Sequence, residues 1–147
     1  MVIISPTTAE RLADEILSTY HGKILSISIF DTKGNQLATK SVESFLKEFR
    51  ILQEGHNYAG TLAIATLSIV NEMREFAGEA KAITATYEKC KMMLIPVADY
   101  EILVGFVLDR RVVTEEDKLA SHIEVLVTEN VSSGDNNNSS KNAATTT

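Results

Sequence analysis

The alternation of apolar and polar positions is most informative between Ala59 and Asp109, where a long apolar helix is followed by three short strands. Within the helix, Leu62, Thr66, Ile69, Val70, Met73, Phe76 and Ala77 recur at steps of three and four, which sets them on one stripe. The spacing predicts that this stripe faces a sheet. A second surface, made of Gly60, Ala63, Ile64, Leu67, Ser68 and Asn71, is small or apolar where a solvated helix carries charge. Glu72, Arg74 and Glu75 restore polarity only in the last turns. A helix apolar on two sides needs two coverings: its own sheet, and either a second copy of itself or residues 45–52 folded over it.

The flanking segments read as elements that pack onto this unit. Ahead of it, Thr7 and Glu10 stand at capping-box spacing, and Ala9, Leu12, Ala13, Ile16, Leu17 and Tyr20 trace a helix to about His21, closed by Gly22. Residues 23–30 form a strand with Leu25, Ile27 and Ile29 on one side and Ile24, Phe30 and two serines on the other. A turn over 31–35 returns the chain as a wetter strand, 36–40. Phe45, Leu46, Phe49 and Leu52 are helix-spaced, and Gly55, His56 and Asn57 break that pattern at a corner.

Gly78 ends the long helix, and residues 81–87, 92–97 and 102–109 follow as strands whose short connections predict an antiparallel meander. The last, ILVGFVLD, is apolar on both faces and belongs mid-sheet, while Pro96 belongs near a strand end or on an unpaired side. Thr114 caps a final helix with Glu115, Glu116 and Asp117 in its first turn and Leu119, Ile123, Leu126 and Val127 on its buried side. From Ser132 onward no large apolar residue remains, and that composition predicts disorder. The division is therefore one domain over 1–131 and a disordered Ser/Asn/Thr-rich tail over 132–147.

Composition narrows the function. With 147 residues and 44% hydrophobic content the chain suits one compact domain. Its net charge of -6 disfavours nucleic acid and anionic membrane surfaces, which reward basic patches. Its apolar runs are far shorter than the roughly 20 residues that span a bilayer, so direct membrane insertion is not expected. The single cysteine cannot form an internal disulfide, and no secretory leader is visible, which together predict a cytoplasmic protein.

The search for chemistry yields few candidates. His21, His56 and His122 lack metal-ligand spacing, and neither a metal nor a cofactor is predicted. Cys90 lies between Lys89 and Lys91, which can lower a thiol pKa; this supports an alternative reading as a small-ligand sensor or thiol enzyme, against the stronger reading of a plain turn cysteine. There is no phosphate-binding glycine loop, nucleophile elbow or dinucleotide fingerprint. Arg110 and Arg111 read first as a solvated turn, and second as a contact for an acidic partner or an anion.

Three segments, ILSISIFDTKGNQLATKS, TLAIATLSIVNEMREF and KMMLIPVADYEILVGFVLD, give the chain a resemblance over residues 8–131 to the Roadblock family of dynein light-chain and GTPase-regulating proteins. The resemblance implies an α+β, α/β/α sandwich of the Roadblock, longin and profilin kind. Its five-stranded antiparallel sheet would carry the long helix on one face and the terminal helices on the other. It also implies a homodimer joined through the long helix, at Gly60, Ala63, Ile64, Leu67 and Asn71. The neighbouring edge strand, residues 82–87, would take part through Ala82, Thr84 and Thr86. The function so implied is a non-catalytic homodimeric scaffold for a small Ras-like GTPase or a larger assembly, with no catalytic residue of its own.

Overall fold

The computed structural model describes residues 3–48, 58–112 and 115–145. Helix α1 (Pro6–Thr19) leads into the hairpin β1 (Ile24–Asp31) and β2 (Gln36–Ser41), then α2 (Glu43–Glu48) and the long α3 (Tyr58–Ala77). Strands β3 (Ile83–Thr86), β4 (Cys90–Val97) and β5 (Ile102–Asp109) follow, with a 3-10 turn at Ala98–Tyr100, and α4 (Glu116–Thr145) closes the chain. The strands form one antiparallel sheet in the order β2-β1-β5-β4-β3. The expected strand set is present, and β5 lies in the centre of the sheet.

β5 organises both faces. On one side Ile102, Val104, Phe106 and Leu108 join Ile27, Ile29, Met93 and Ile95 beneath α1 and α4, which contribute Leu12, Ile16, Ile123 and Val127. This is the larger core. On the other side Leu103 meets Phe30 and Leu94 under Ala63 of α3, with Leu62, Leu67 and Ile83 at the margin. Gly105 makes this thinner layer possible: a Cβ there would come within 3.1 Å of Leu94 Cδ2. Pro96 pairs with Leu103, beyond the last β3 partner at Leu94, so its missing N–H faces no neighbouring strand.

Several expectations are corrected. The cap of α1 is Ser5, whose Oγ accepts from Thr8 N at 3.2 Å, in place of Thr7. Pro6 takes the first helical position, where its absent N–H costs nothing, and this moves the cap one residue ahead of it. That helix ends at Thr19, with Tyr20 as its C-cap, short of His21. Cys90 is the first residue of β4, opposite Asp109, and its carbonyl accepts from Tyr87 N at 2.8 Å.

The segment expected to be disordered from Ser132 continues as helix to Thr145. Phe49, Leu52, Gly55, His56, Asn57 and Thr114, which sequence placed in the second helix, the corner and the last cap, lie outside the described residues.

Polar contacts tie the outer layers together. The Arg11 guanidinium donates to the Asn130 carbonyl at 2.7 Å, joining α1 to α4, and Lys40 on β2 pairs with Glu10 on α1 at 3.0 Å. After β5, Asp109 receives Arg111 Nε at 3.0 Å, Nη2 at 2.9 Å and the Arg111 backbone N–H at 2.9 Å. Those hydrogen bonds, side chain first, hold the Asp109 carboxyl down at about 2.

Two predictions follow from this packing. Ile123 is fully buried while Val125, two residues on, is half exposed. In urea denaturation Ile123→Ala should cost about 2–5 kcal/mol and Val125→Ala within about 0.5 kcal/mol, and equal losses would contradict the orientation of α4. For Asp109, a folded pKa below the unfolded one means its contribution is complete above the ordinary carboxylate range and is lost as pH falls through about 2. A carboxyl-carbon NMR titration should place Asp109 there and move it upward in Arg111→Ala; a midpoint untouched by that substitution would refute the assignment.

Candidate functional site

The long helix and the adjacent sheet edge are the candidate site, and the structure fixes how α3 is turned. Ala63, Thr66 and Val70 are buried against the sheet, and Leu62 and Leu67 are half buried on either side of them. The face that meets the sheet therefore lies between the two sequence stripes. Ile69, expected to point inward, is 59% exposed, as are Met73 at 42% and Phe76 at 77%. Ala77 is exposed as well. Ala63, expected on the outer surface, is fully buried beside Phe30, Leu94 and Leu103, so it is not available to a second chain.

Of the other residues assigned to the outer surface, Ile64 is 53% exposed and Asn71 is exposed. Leu67 divides its surface between the core margin and solvent. Gly60 belongs to the first turn of α3. No residue from Asn71 through Ala77 is buried, so the last two turns of the helix stand clear of their own sheet. Gly78, at φ 82°, then ends α3, and its N–H bonds to the Arg74 carbonyl at 3.0 Å. Arg74 also pairs with Glu79 at 3.1 Å, which fixes the exit of the chain toward β3.

Among the described residues β3 is the last strand of the sheet and pairs on one side only, with β4, from Ile83↔Leu94 to Thr86↔Lys91. Its alternation places Ile83 against the α3 layer, while Ala82 packs against the larger core on the opposite face. Thr86 is exposed and Thr84 half buried. Thr84 Oγ1 is enclosed and has no hydrogen-bond partner among the described residues, a condition that costs about 1–3 kcal/mol when nothing satisfies it. Tyr87, half exposed, closes the strand. Helix and edge thus present Ile64, Ile69, Met73, Phe76 and Tyr87 as large exposed apolar side chains, with a row of unpaired backbone on β3.

Other candidates are placed elsewhere. His21 is exposed after the end of α1. The His122 Nδ1 is hydrogen-bonded to the Tyr20 hydroxyl, with the rings edge-to-face at 5.5 Å. Burial raises the Tyr20 pKa and keeps the phenol protonated. That contact joins residues far apart in sequence, and no sequence spacing announced it. Among the described residues no group of three or more His, Cys, Asp or Glu side chains is placed to hold a metal ion, and no helix is long and apolar enough to cross a membrane.

No family model and no curated protein matches the chain by sequence. Solved structures do match it in three dimensions. The gliding protein MglB from Thermus thermophilus has a TM-score of 0.60 at 14% identity, covering 90% of this chain and 96% of that one. An MglB described as having a tetrameric arrangement gives 0.57 at 16% identity, over 88% and 96% of the two chains. A Roadblock/LC7 domain from Streptomyces avermitilis gives 0.53 at 8% identity, over 84% and 92%. Strand order, the long helix packed on one face of the sheet, and high coverage in both directions agree: this chain has the Roadblock-like fold.

Proposed function

We propose that the chain is a non-catalytic, cytoplasmic scaffold that assembles as a homodimer through α3 and β3 and in that form binds and regulates a small Ras-like GTPase. The observation that carries the reading is the half of α3 that leaves its own sheet. Residues 71–77 are all exposed, with Met73 and Phe76 among them, directly before an edge strand that has no second neighbour among the described residues. An exposed apolar ridge beside an unpaired edge is a liability unless something covers both together. A second copy related by a two-fold does so, because the same patch meets itself and the two edges extend one sheet.

The corrected orientation of α3 changes which residues serve that contact. Ile64 and Asn71 remain, Ala63 is replaced by Met73 and Phe76, and β3 contributes its backbone together with Thr86 and Tyr87. A paired dimer of this kind buries about 1,600 Å² in total. Regulation of a GTPase fits a surface without an acid–base pair of its own, since positioning the partner's switch segments and catalytic groups is sufficient to change its hydrolysis rate. MglB and Roadblock/LC7 structures share the fold, and the tetrameric MglB arrangement supports assembly as the working state.

Ile64 and Phe76 contribute little to the subunit core, so charging them tests association without emptying it. Sedimentation of the wild-type chain at micromolar concentration should show a dimer, and Ile64→Arg with Phe76→Arg should weaken it by about 100-fold or more while circular dichroism stays native. Affinity capture from the native cytoplasm should recover a Ras-like GTPase with the wild type and lose it with the double variant. A monomeric wild type, or a double variant that dimerises normally, overturns the assembly; a dimer that captures no GTPase overturns the partner.

A further inference from the structure

The open edge of β3 carries a fixed alternation of backbone groups. The Tyr87 N–H bonds to the Cys90 carbonyl at 2.8 Å, and from there the pairing with β4 runs back to Ile83↔Leu94. Opposite residues of an antiparallel ladder alternate between pairs that exchange backbone hydrogen bonds and pairs that do not. Tyr87, Ala85 and Ile83 therefore turn their N–H and C=O groups toward β4, while Thr84 and Thr86 turn theirs outward. The side chains alternate as well. Ile83 lies on the α3 face, which places Ala85 and Tyr87 there, and Thr84 and Thr86 share the opposite face with Ala82.

This alternation limits how a second copy can add to the edge. In an antiparallel ladder a residue with outward backbone groups must stand opposite another of the same kind. A two-fold axis through paired β3 strands then passes through a residue, at Thr84, Ala85 or Thr86, and not between residues. An axis at Thr84 puts Tyr87 opposite the partner's Lys81, and an axis at Thr86 puts Thr84 opposite the partner's Glu88; both lysine and glutamate are exposed and lie outside the strand. The stretch hydrogen-bonded to β4, from Ile83 to Tyr87, is centred on Ala85 and pairs entirely with itself only about that residue.

We propose that the two copies join in this register, with Ala85 on the two-fold axis and Thr84 opposite the partner's Thr86. The register presupposes the β3-mediated dimer proposed above and names the residues that set its alignment. Every outward N–H and C=O of Thr84 and Thr86 is then paired across the edge. On the α3 face, the half-exposed Tyr87 ring covers the partner's Ile83, which in one subunit sits at the margin of the thin core. On the other face, Thr84 Oγ1 is enclosed and has no hydrogen-bond partner among the described residues. A turn about χ1 carries that hydroxyl to the edge, where the exposed hydroxyl of the partner's Thr86 can donate or accept. At the axis, methyl meets methyl in a pair that exchanges no backbone hydrogen bonds, so the two Cα atoms approach to about 4.5 Å.

That approach lies within the roughly 4.4–6.8 Å over which a disulfide closes without moving the backbone. The test oxidises full-length Ala85→Cys, Thr84→Cys and Thr86→Cys separately at micromolar concentration, with the wild-type chain as the reference for any linkage through Cys90. Ala85→Cys should give a disulfide-linked dimer as its main product. Thr84→Cys or Thr86→Cys alone should stay largely unlinked, and the two co-expressed should link to each other. Filtered NOEs in a dimer of labelled and unlabelled wild-type chains read the same register without substitution, through contacts of the Tyr87 ring with the partner's Ile83 methyl groups. Linkage of Thr84→Cys or Thr86→Cys alone without Ala85→Cys, or a dimer lacking those NOEs, overturns the register and leaves the dimer standing. A dimer in which no variant links overturns the place of β3 in the interface, and a monomeric wild type overturns the dimer together with its register.

Discussion

The whole structure depends on burying both faces of β5. Ile102, Val104, Phe106 and Leu108 point to one side and Leu103 to the other, and all are buried, so a layer is required on each face. Such a strand cannot be an edge, and its neighbours β1 and β4 are set by that need. The two layers are unequal. α1 and α4 cover one face with a continuous apolar core, whereas α3 touches the other chiefly around Ala63, Thr66 and Val70. The thin layer leaves the second half of α3 in solvent, and that imbalance is the physical origin of the proposed interface.

Much of this was legible in the sequence because it depends on local pattern. Strand periods, the turn over 31–35, Gly78 and the double-sided apolarity of ILVGFVLD locate every strand within one or two residues, together with the hairpin, the meander and the central place of β5; the pairing of β1 with β5 was not among them. The rotation of α3 was not legible. Its apolar residues cover so wide an arc that two stripes can be drawn, and neither is the one the sheet selects. The choice is made in three dimensions, by the space above Gly105 that Leu94 and Phe30 occupy and by the small Ala63 that fits over them. A periodicity argument has no access to that shape. It put Ile69 inside and Ala63 outside, and both are reversed.

The contact of Tyr20 with His122 was illegible for a different reason. The two residues are far apart in sequence, and only the docking of the terminal helices on the sheet brings them together. What the sequence did contain was the pair Arg110 and Arg111 after the last strand, whose roles the structure separates: one is paired with a carboxylate and the other is held on a carbonyl.

Amide hydrogen exchange in β3 measured across a dilution series tests the central claim most directly, because the edge strand is paired with β4 on one side and, in the proposed assembly, with its own copy on the other. The account predicts that β3 amides are protected at micromolar concentration and lose that protection on dilution, while β5 amides stay protected throughout. Exchange in β3 that is fast and independent of concentration would contradict it.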